Sequence, residues 1–174
     1  MSSLKELTWE AHKKAEQTHV MRLLLANEIS KYLYCDLVYT KYLIYATIES
    51  KIKFLTPCLP RAQLALNDWQ DIGCSLPKCL ASLEAYLAHM RSLQLPQLWS
   101  HAYVHYLAPL YGGQLIKKKI ENRFPVSMYQ FDDPASAIQE IRSGLDIGMA
   151  AEANLAFEMT TQYYDDLYKA HNHL

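Results

Sequence analysis

Apolar residues recur every three or four positions along most of the chain, which is the period of α-helices with one buried face. The first such segment opens with Ser3-Leu-Lys-Glu6, a capping box in which the serine and the glutamate satisfy each other's backbone N–H groups. We therefore predict a first helix from here. Its apolar face is predicted to carry Leu4, Leu7, Thr8, Ala11, His12 and Ala15.

A short second helix is predicted from about residue 18 to 26, followed by a long third helix that Ser30 can cap. Pro57 must end this third helix, because a proline cannot continue it. The helical positions expected to be buried in it are Leu33, Leu37, Ile44, Ile48, Ile52 and Leu55.

The second half also predicts helices, separated by proline and glycine. Residues 61–73 resemble a broken connection with one or two helical turns, and Pro77 suits the first turn of a helix that continues to about residue 93. A further stretch runs from Pro96 to about residue 124, and Asp133-Pro134 is a typical helix start. The last helices are predicted over 135–147 and on to about 169. No segment predicts a strand, so we expect an all-α, multi-helix bundle in a single domain, 1–174.

Composition narrows the possible functions. The 18 acidic and 17 basic residues give a formal net charge of −1, which argues against nucleic acid or an anionic membrane surface as the partner. No stretch reaches the roughly 20 apolar residues of a membrane span. The beginning of the chain lacks the apolar segment of a signal peptide, so a soluble, cytoplasmic protein is expected. Four cysteines without a CxxC pair predict reduced thiols in that compartment.

Two adjacent glycines interrupt one of these apolar helices. The chain has only five glycines, and Gly112-Gly113 follows Pro109 by three residues. Glycine in a helix costs roughly 1 kcal/mol relative to alanine, and Pro109 cannot donate to the carbonyl of His105. Such a segment favours close approach to the backbone, either by another helix or by a flat ligand.

Other candidates for chemistry are single residues with two interpretations each. His12 could be an axial metal or haem ligand, or a hydrogen-bonded histidine at the edge of the core. Arg142 could clamp a carboxylate or form a surface ion pair. The run Lys117-Lys118-Lys119 could attract an acidic redox partner or simply be solvated. The glutamates lack the EExxH spacing of a ferritin-like di-iron site.

Three segments together resemble the haem oxygenase family. Leu4-Lys-Glu-Leu-Thr-Trp-Glu-Ala-His-Lys-Lys-Ala-Glu16 is similar to the family's proximal helix, and Tyr103-Val-His-Tyr-Leu-Ala-Pro-Leu-Tyr-Gly-Gly-Gln114 to its distal signature. Glu152-Ala-Asn-Leu-Ala-Phe157 is similar to its C-terminal pocket helix, and Tyr45 and Glu49 match its third helix. The segments come in family order and cover essentially the whole chain.

The resemblance implies an all-helical enzyme that binds haem as both cofactor and substrate. It would open the ring to biliverdin, carbon monoxide and ferrous iron, using O₂ and electrons from a reductase or ferredoxin. His12 would be the axial ligand to the iron, and Gly112 and Gly113 would form the distal wall. The remaining pocket residues implied by the resemblance are Lys5, Thr8, Glu16, Tyr103, Arg142 and Phe157.

The distal signature departs from the family at several positions. Ala108-Pro109 stands where the family has Gly-Asp, and that aspartate organises proton delivery. His105 replaces an arginine, Tyr111 a serine, and Thr160 an asparagine. His105, Tyr111 or Tyr45 could supply a replacement relay. Two alternatives follow: a non-catalytic haem-binding protein for storage, sensing or sequestration, and a helical interaction module that no longer binds haem.

Overall fold

The computed structural model describes residues 3–77 and 80–172, and within these ranges it contains α-helices and two short 3₁₀ segments but no strand. This confirms the all-α prediction. The 3₁₀ segments are Ser127–Tyr129 and Ile147–Met149. The helices are α1 (Leu4–Leu7), α2 (Trp9–Glu16), α3 (His19–Ala26), α4 (Lys31–Glu49), α5 (Ala62–Ile72), α6 (Ala81–Ser92), α7 (Leu95–Tyr111), α8 (Gly113–Ile120), α9 (Pro134–Ser143) and α10 (Ala150–Asn172).

Helix starts that the local sequence predicts are confirmed. Ser3 and Glu6 form the reciprocal capping box of α1. The Ser30 hydroxyl accepts the Leu33 N–H at 3.2 Å at the start of α4. Asp133 accepts the Ser136 N–H at 3.1 Å, directly before the proline that opens α9. Each of these capping interactions spans about one helical turn, so residues close in sequence determine where the helix starts.

Several predicted boundaries are wrong. The predicted first helix is divided at Thr8 into α1 and α2. The third helix ends at Glu49, and Leu55, expected on its buried face, is 88% exposed. Pro77 lies before α6 rather than in its first turn, since α6 begins at Ala81. Lys78 and Cys79, which the prediction included in this helix, lie outside the described residues.

The broken connection predicted over 61–73 is instead the regular helix α5. No side chain of its own segment caps it. The carboxylate of Glu49, at the end of α4, accepts the N–H groups of Arg61 at 2.6 Å and Ala62 at 3.0 Å. The same oxygen accepts the Tyr106 hydroxyl at 2.8 Å. The cap therefore comes from another helix, which a local sequence pattern cannot show.

The last helix, α10, contacts more of the other helices than a single neighbouring pair would require. α10 packs against α2, α3, α4, α6 and α7, and side chains of α2, α7 and α10 share one small apolar cluster. The core includes many tyrosines whose rings fill space, and the hydroxyls of Tyr34, Tyr45, Tyr86 and Tyr106 form hydrogen bonds. The fully buried ones are Tyr34, Tyr45, Tyr86, Tyr106 and Tyr163.

The cysteines do not all match the expectation of reduced thiols. Cys35 on α4 and Cys74 after α5 form a disulfide, with Cα atoms 6.4 Å apart. Their separation of 39 residues gave no sequence signal, because α5 packs on α4 only in the folded chain. Cys58 has a free thiol, and Cys79 lies outside the described residues.

No helix in the described part of the chain is long and apolar enough to cross a membrane.

Candidate functional site

His12 lies near the middle of α2 with about a third of its side chain exposed (32%). Its Nε2 atom is 3.4 Å from the Glu16 carboxylate, one helical turn later. Its ring contacts the edge of the Phe157 ring on α10, with centroids 5.3 Å apart. The imidazole is thus oriented by two neighbours and still reachable from outside.

Phe157 also contacts a residue of α7. The rings of Phe157 and Tyr103 are 6.2 Å apart, and the Tyr103 hydroxyl is 3.2 Å from Oγ1 of Thr8. Thr8 stands at the junction of α1 and α2 and donates to the Leu4 carbonyl at 3.0 Å. The structure therefore brings together His12, Thr8, Tyr103 and Phe157, which come from both ends and the middle of the chain.

The two glycines have different surroundings. α7 ends at Tyr111 and α8 begins at Gly113, so the interruption falls at Gly112. A Cβ on Gly112 would meet only the Ala108 carbonyl at 3.6 Å, whereas one on Gly113 would come within 2.8 Å of the Tyr129 ring. Gly112 thus borders open space, and Gly113 allows close packing inside the bundle.

The open space beside Gly112 belongs to an exposed face of α7 and α8. Ala108 is exposed one turn before it, and the side chains of Tyr111 and Leu115 are each 52% exposed. An apolar strip without a side chain at its centre is the surface on which a flat ring can lie closely against the backbone.

Pro109 does not end α7. Its side chain is buried, and the helix continues for two more residues. The His105 carbonyl has no backbone donor one turn later, because Pro109 lacks an N–H group. It lies 3.4 Å from the Tyr45 hydroxyl. Tyr45, on α4, thus supplies a hydrogen bond in place of the missing backbone one.

Two other predicted residues pair with each other. Arg142, in the last turn of α9, donates from Nη2 to the Tyr111 hydroxyl at 3.0 Å. Lys5 is separate from this pair, with its Nζ atom 5.9 Å from the centre of the Trp9 ring. The sequence predicted Lys5, Tyr111 and Arg142 as site residues. Of these three, the structure brings only Tyr111 and Arg142 into contact.

A chain of polar groups runs from Lys41 to Glu152, and His105 is its only member that the sequence singled out as a candidate site residue. The Tyr86 hydroxyl is 2.8 Å from His105 Nε2 and 2.9 Å from His101 Nδ1. His101 Nε2 is 2.8 Å from Oε1 of Glu152, and Lys41 Nζ is 3.5 Å from His105 Nδ1. These residues come from four helices, and only His101 and His105, one turn apart on α7, share a local spacing. Nothing local indicates that the other three residues meet them.

Because a carboxylate only accepts, we assign the proton of His101 to Nε2, facing Glu152. Nδ1 of His101 then accepts from the Tyr86 hydroxyl, and the Tyr86 oxygen accepts from His105 Nε2. Burial is the main cause that lowers the pKa of both imidazoles, and Lys41 lowers that of His105 further. Burial likewise raises the pKa values of Tyr86 and Tyr45. His101, His105 and Tyr86 are therefore neutral at physiological pH.

Comparison with known proteins identifies the family. The family model described as "Heme oxygenase" matches residues 1–165. The chain belongs to the haem oxygenase family. Curated haem oxygenases include that of Porphyra purpurea, 26% identical, covering 95% of this chain and 85% of that protein. Heme oxygenase 1 of Synechocystis sp. is 28% identical, over 95% of this chain and 83% of that protein.

Solved haem oxygenases share the fold. The enzyme from Leptospira interrogans superposes with a TM-score of 0.82 at 24% identity, covering 94% of this chain and 97% of that one. Heme oxygenase-1 of the cyanobacterium Synechocystis sp., solved in complex with heme, gives a TM-score of 0.81 at 26% identity, covering 96% and 93%. These similarities confirm the predicted family and helical architecture.

The residues present here have the chemistry that a haem oxygenase site needs. A partly exposed imidazole on α2 can bind iron, and the strip around Gly112 can accept the face of an apolar ring. α2, α7 and α10 meet in one buried apolar cluster that includes Ala15, Val104 and Phe157. The structure thus fits the group that the family handles.

Proposed function

We propose that this protein binds haem through His12 and cleaves it oxidatively to biliverdin, carbon monoxide and ferrous iron. The observation that carries the proposal is the position of His12, reachable from solvent and held between Glu16 and Phe157. Bound haem would supply the iron at which O₂ reacts, so the protein's contribution is binding, orientation and proton placement.

The pocket residues have separable tasks in this proposal. Thr8 and Tyr103 close one end by their mutual contact, and Phe157 forms the floor. Gly112 leaves the distal wall without a side chain. Lys5 and Arg142 supply positive charge for the carboxylates of the haem ring. Arg142 also donates a hydrogen bond to the Tyr111 hydroxyl.

Proton placement must differ from the usual arrangement because Pro109 has no ionisable side chain. We assign this task to the groups beside it. Tyr45 donates to the His105 carbonyl, and the His105 imidazole is hydrogen-bonded to Tyr86. Both groups are neutral, so they can orient hydrogen bonds from water without adding a charge behind the distal wall.

Electrons would come from a reductase or ferredoxin in the cytoplasm. Lys117, Lys118 and Lys119 form the last turn of α8, on the helix that follows the glycine pair. Three adjacent positive charges attract an acidic redox protein at low ionic strength. We expect the rate of reduction by such a donor to fall as salt rises.

Hemin titration tests binding. We expect a Soret band typical of histidine ligation, and its loss or shift in His12→Ala. An unchanged spectrum in His12→Ala would contradict the assignment of the ligand. Glu16→Gln serves as a matched control on the same helix, and it should retain the histidine-ligated band.

Aerobic reduction of the hemin complex tests catalysis. We expect the broad red absorption of biliverdin and one equivalent of carbon monoxide. The Pro109 substitution favours a second candidate, a haem-binding protein without turnover. A ferrous–O₂ complex that persists or autoxidises without biliverdin would establish that alternative. Failure to bind hemin at all would favour the interaction module.

A further inference from the structure

Three side chains with metal-binding atoms converge beside the N-terminal half of α7. The three residues are His89 on α6, His101 on α7 and Glu152 in the first turn of α10. The Nε2 atoms of His89 and His101 lie 2.6 and 2.8 Å, respectively, from the same glutamate oxygen, Oε1. All three ligand atoms lie within 4.8 Å of one another.

The donors are held firmly. The His101 side chain is fully buried, and those of His89 and Glu152 are 27% and 19% exposed. Each stands on a different helix, and the packing of α10 against α6 and α7 holds the three side chains together. The other nitrogen of His101 is 2.9 Å from the Tyr86 hydroxyl, the kind of outer contact that fixes the ring of a ligating histidine.

The spacing is close to that of a metal site. Ligands about 2.0–2.1 Å from a tetrahedral ion are roughly 3.3 Å apart. The observed separations of 2.6 and 2.8 Å need the carboxylate oxygen to move by about half an ångström. Space for this exists, because Glu152 borders a solvent-open cavity of about 420 Å³ beside Ser100 and Met149. An ion would reach the cluster from this opening at Glu152 or along the partly exposed side chain of His89.

We propose that His89, His101 and Glu152 bind a divalent first-row transition-metal ion, with Zn²⁺ as a representative. Two imidazoles and a carboxylate suit such ions better than Ca²⁺ or Mg²⁺, which prefer oxygen. Binding through Nε2 moves the ring proton of each neutral imidazole to Nδ1, and Nδ1 of His101 then donates to the Tyr86 oxygen. The ion then links α6, α7 and α10. His12 lies on α2 and is no part of this site, so the proposal does not depend on haem binding.

The test uses the full chain, treated with a chelator and kept free of haem. We expect Zn²⁺ to bind at one ion per chain and to raise the melting temperature, and Co²⁺ to give visible d–d bands typical of nitrogen and oxygen ligands. His89→Ala removes a partly exposed donor and should weaken Zn²⁺ binding by more than the roughly 10–100-fold that follows loss of an outer-shell partner. Tyr86→Phe should fall within that smaller range.

The matched control is His171, which pairs with Asp36 at 2.8 Å in a similarly shielded position, with side chains 15% and 11% exposed. His171→Ala and His12→Ala should bind Zn²⁺ as the unmodified protein does. The proposal is overturned if no stoichiometric binding occurs, if His89→Ala binds equally well, or if either control abolishes binding. Because circular dichroism reports folding separately, a variant that unfolds is replaced by Glu152→Gln, for which the same loss is expected.

Discussion

The hydroxyl of Tyr45 lies 3.4 Å from the carbonyl oxygen of His105, the helical acceptor that Pro109 leaves without its N–H donor. A residue on α4 thus compensates for a proline inside α7. The contact also places Tyr45 directly behind the segment that carries the family's distal signature, so one hydrogen bond serves both helix integrity and the arrangement of the site.

Tyr45→Phe tests this compensation. The net loss of one hydrogen bond should lower the free energy of unfolding by about 1 kcal/mol. In the Pro109→Ala background the carbonyl regains a backbone donor, so the same substitution should cost less. Denaturant unfolding of the four proteins in this cycle measures the coupling. Equal costs in both backgrounds would show that the Tyr45 contact is independent of Pro109.

The two glycines form a matched pair for separating fold from site. Gly113→Ala places a Cβ 2.8 Å from the buried Tyr129 ring, and such overpacking should cost about 1–3 kcal/mol of stability. Gly112→Ala meets no such atom and should change stability by less than about 1 kcal/mol. If Gly112 lies against haem, its substitution should weaken hemin binding about tenfold, or ~1.4 kcal/mol. Thermal unfolding and hemin titration measure the two effects, and a destabilised Gly112→Ala with normal hemin affinity would reverse our assignment.

Reduction of the disulfide should loosen the contact between α4 and α5. Closing a loop of 39 residues stabilises the fold by about 4 kcal/mol when the effect is chain entropy alone. Cys74→Ser should therefore lower the melting temperature, and a thiol reductant should lower that of the unmodified protein to a similar value. Cys58→Ser, which removes a free thiol, is the control and should leave the response to reductant unchanged. Intact-mass analysis after thiol alkylation counts the free thiols, and peptide mapping without reduction identifies the bridged pair.

Acidification should release the segment that follows α4. The carboxylate of Glu140 accepts the N–H groups of Leu55 and Thr56, each at 2.7 Å. Burial acts to raise the pKa of Glu140, but these hydrogen bonds outweigh it and the net pKa is lowered. A lowered folded pKa means that the stabilisation is present above the unfolded pKa of about 4.3 and is lost as the pH falls through the folded value.

Glu140→Gln cannot titrate, so the stability difference between it and the unmodified protein should be largest near neutral pH and shrink below about pH 4. Urea midpoints across this range measure the difference. A difference that stays constant on acidification would show that the Glu140 carboxylate does not stabilise the segment through its charged form.

Local signals predicted much of the helical framework. Ser3, Ser30 and Asp133 marked helix starts, because a cap forms between residues at most a turn apart. The motifs around His12 and Gly112 also indicated the family, and the match over residues 1–165 confirmed it. These features depend on short segments, in which the residue types and their spacing are sufficient to predict a helix start or a family motif.

Only the tertiary structure decided the features that join distant positions. α5 is a full helix because Glu49 caps it from α4, and Cys35 meets Cys74 because those two helices pack together. The Glu152 cluster likewise brings together side chains from α6, α7 and α10.

The sequence by itself therefore determined the helical class, the family and the candidates for its pocket. The tertiary structure decided which of those candidates touch and which unpredicted groups lie behind them. The physical reason is range: helix period and capping act over about one turn, whereas the contacts of His105 and Glu152 cross 19 to 64 residues and leave no period in the sequence.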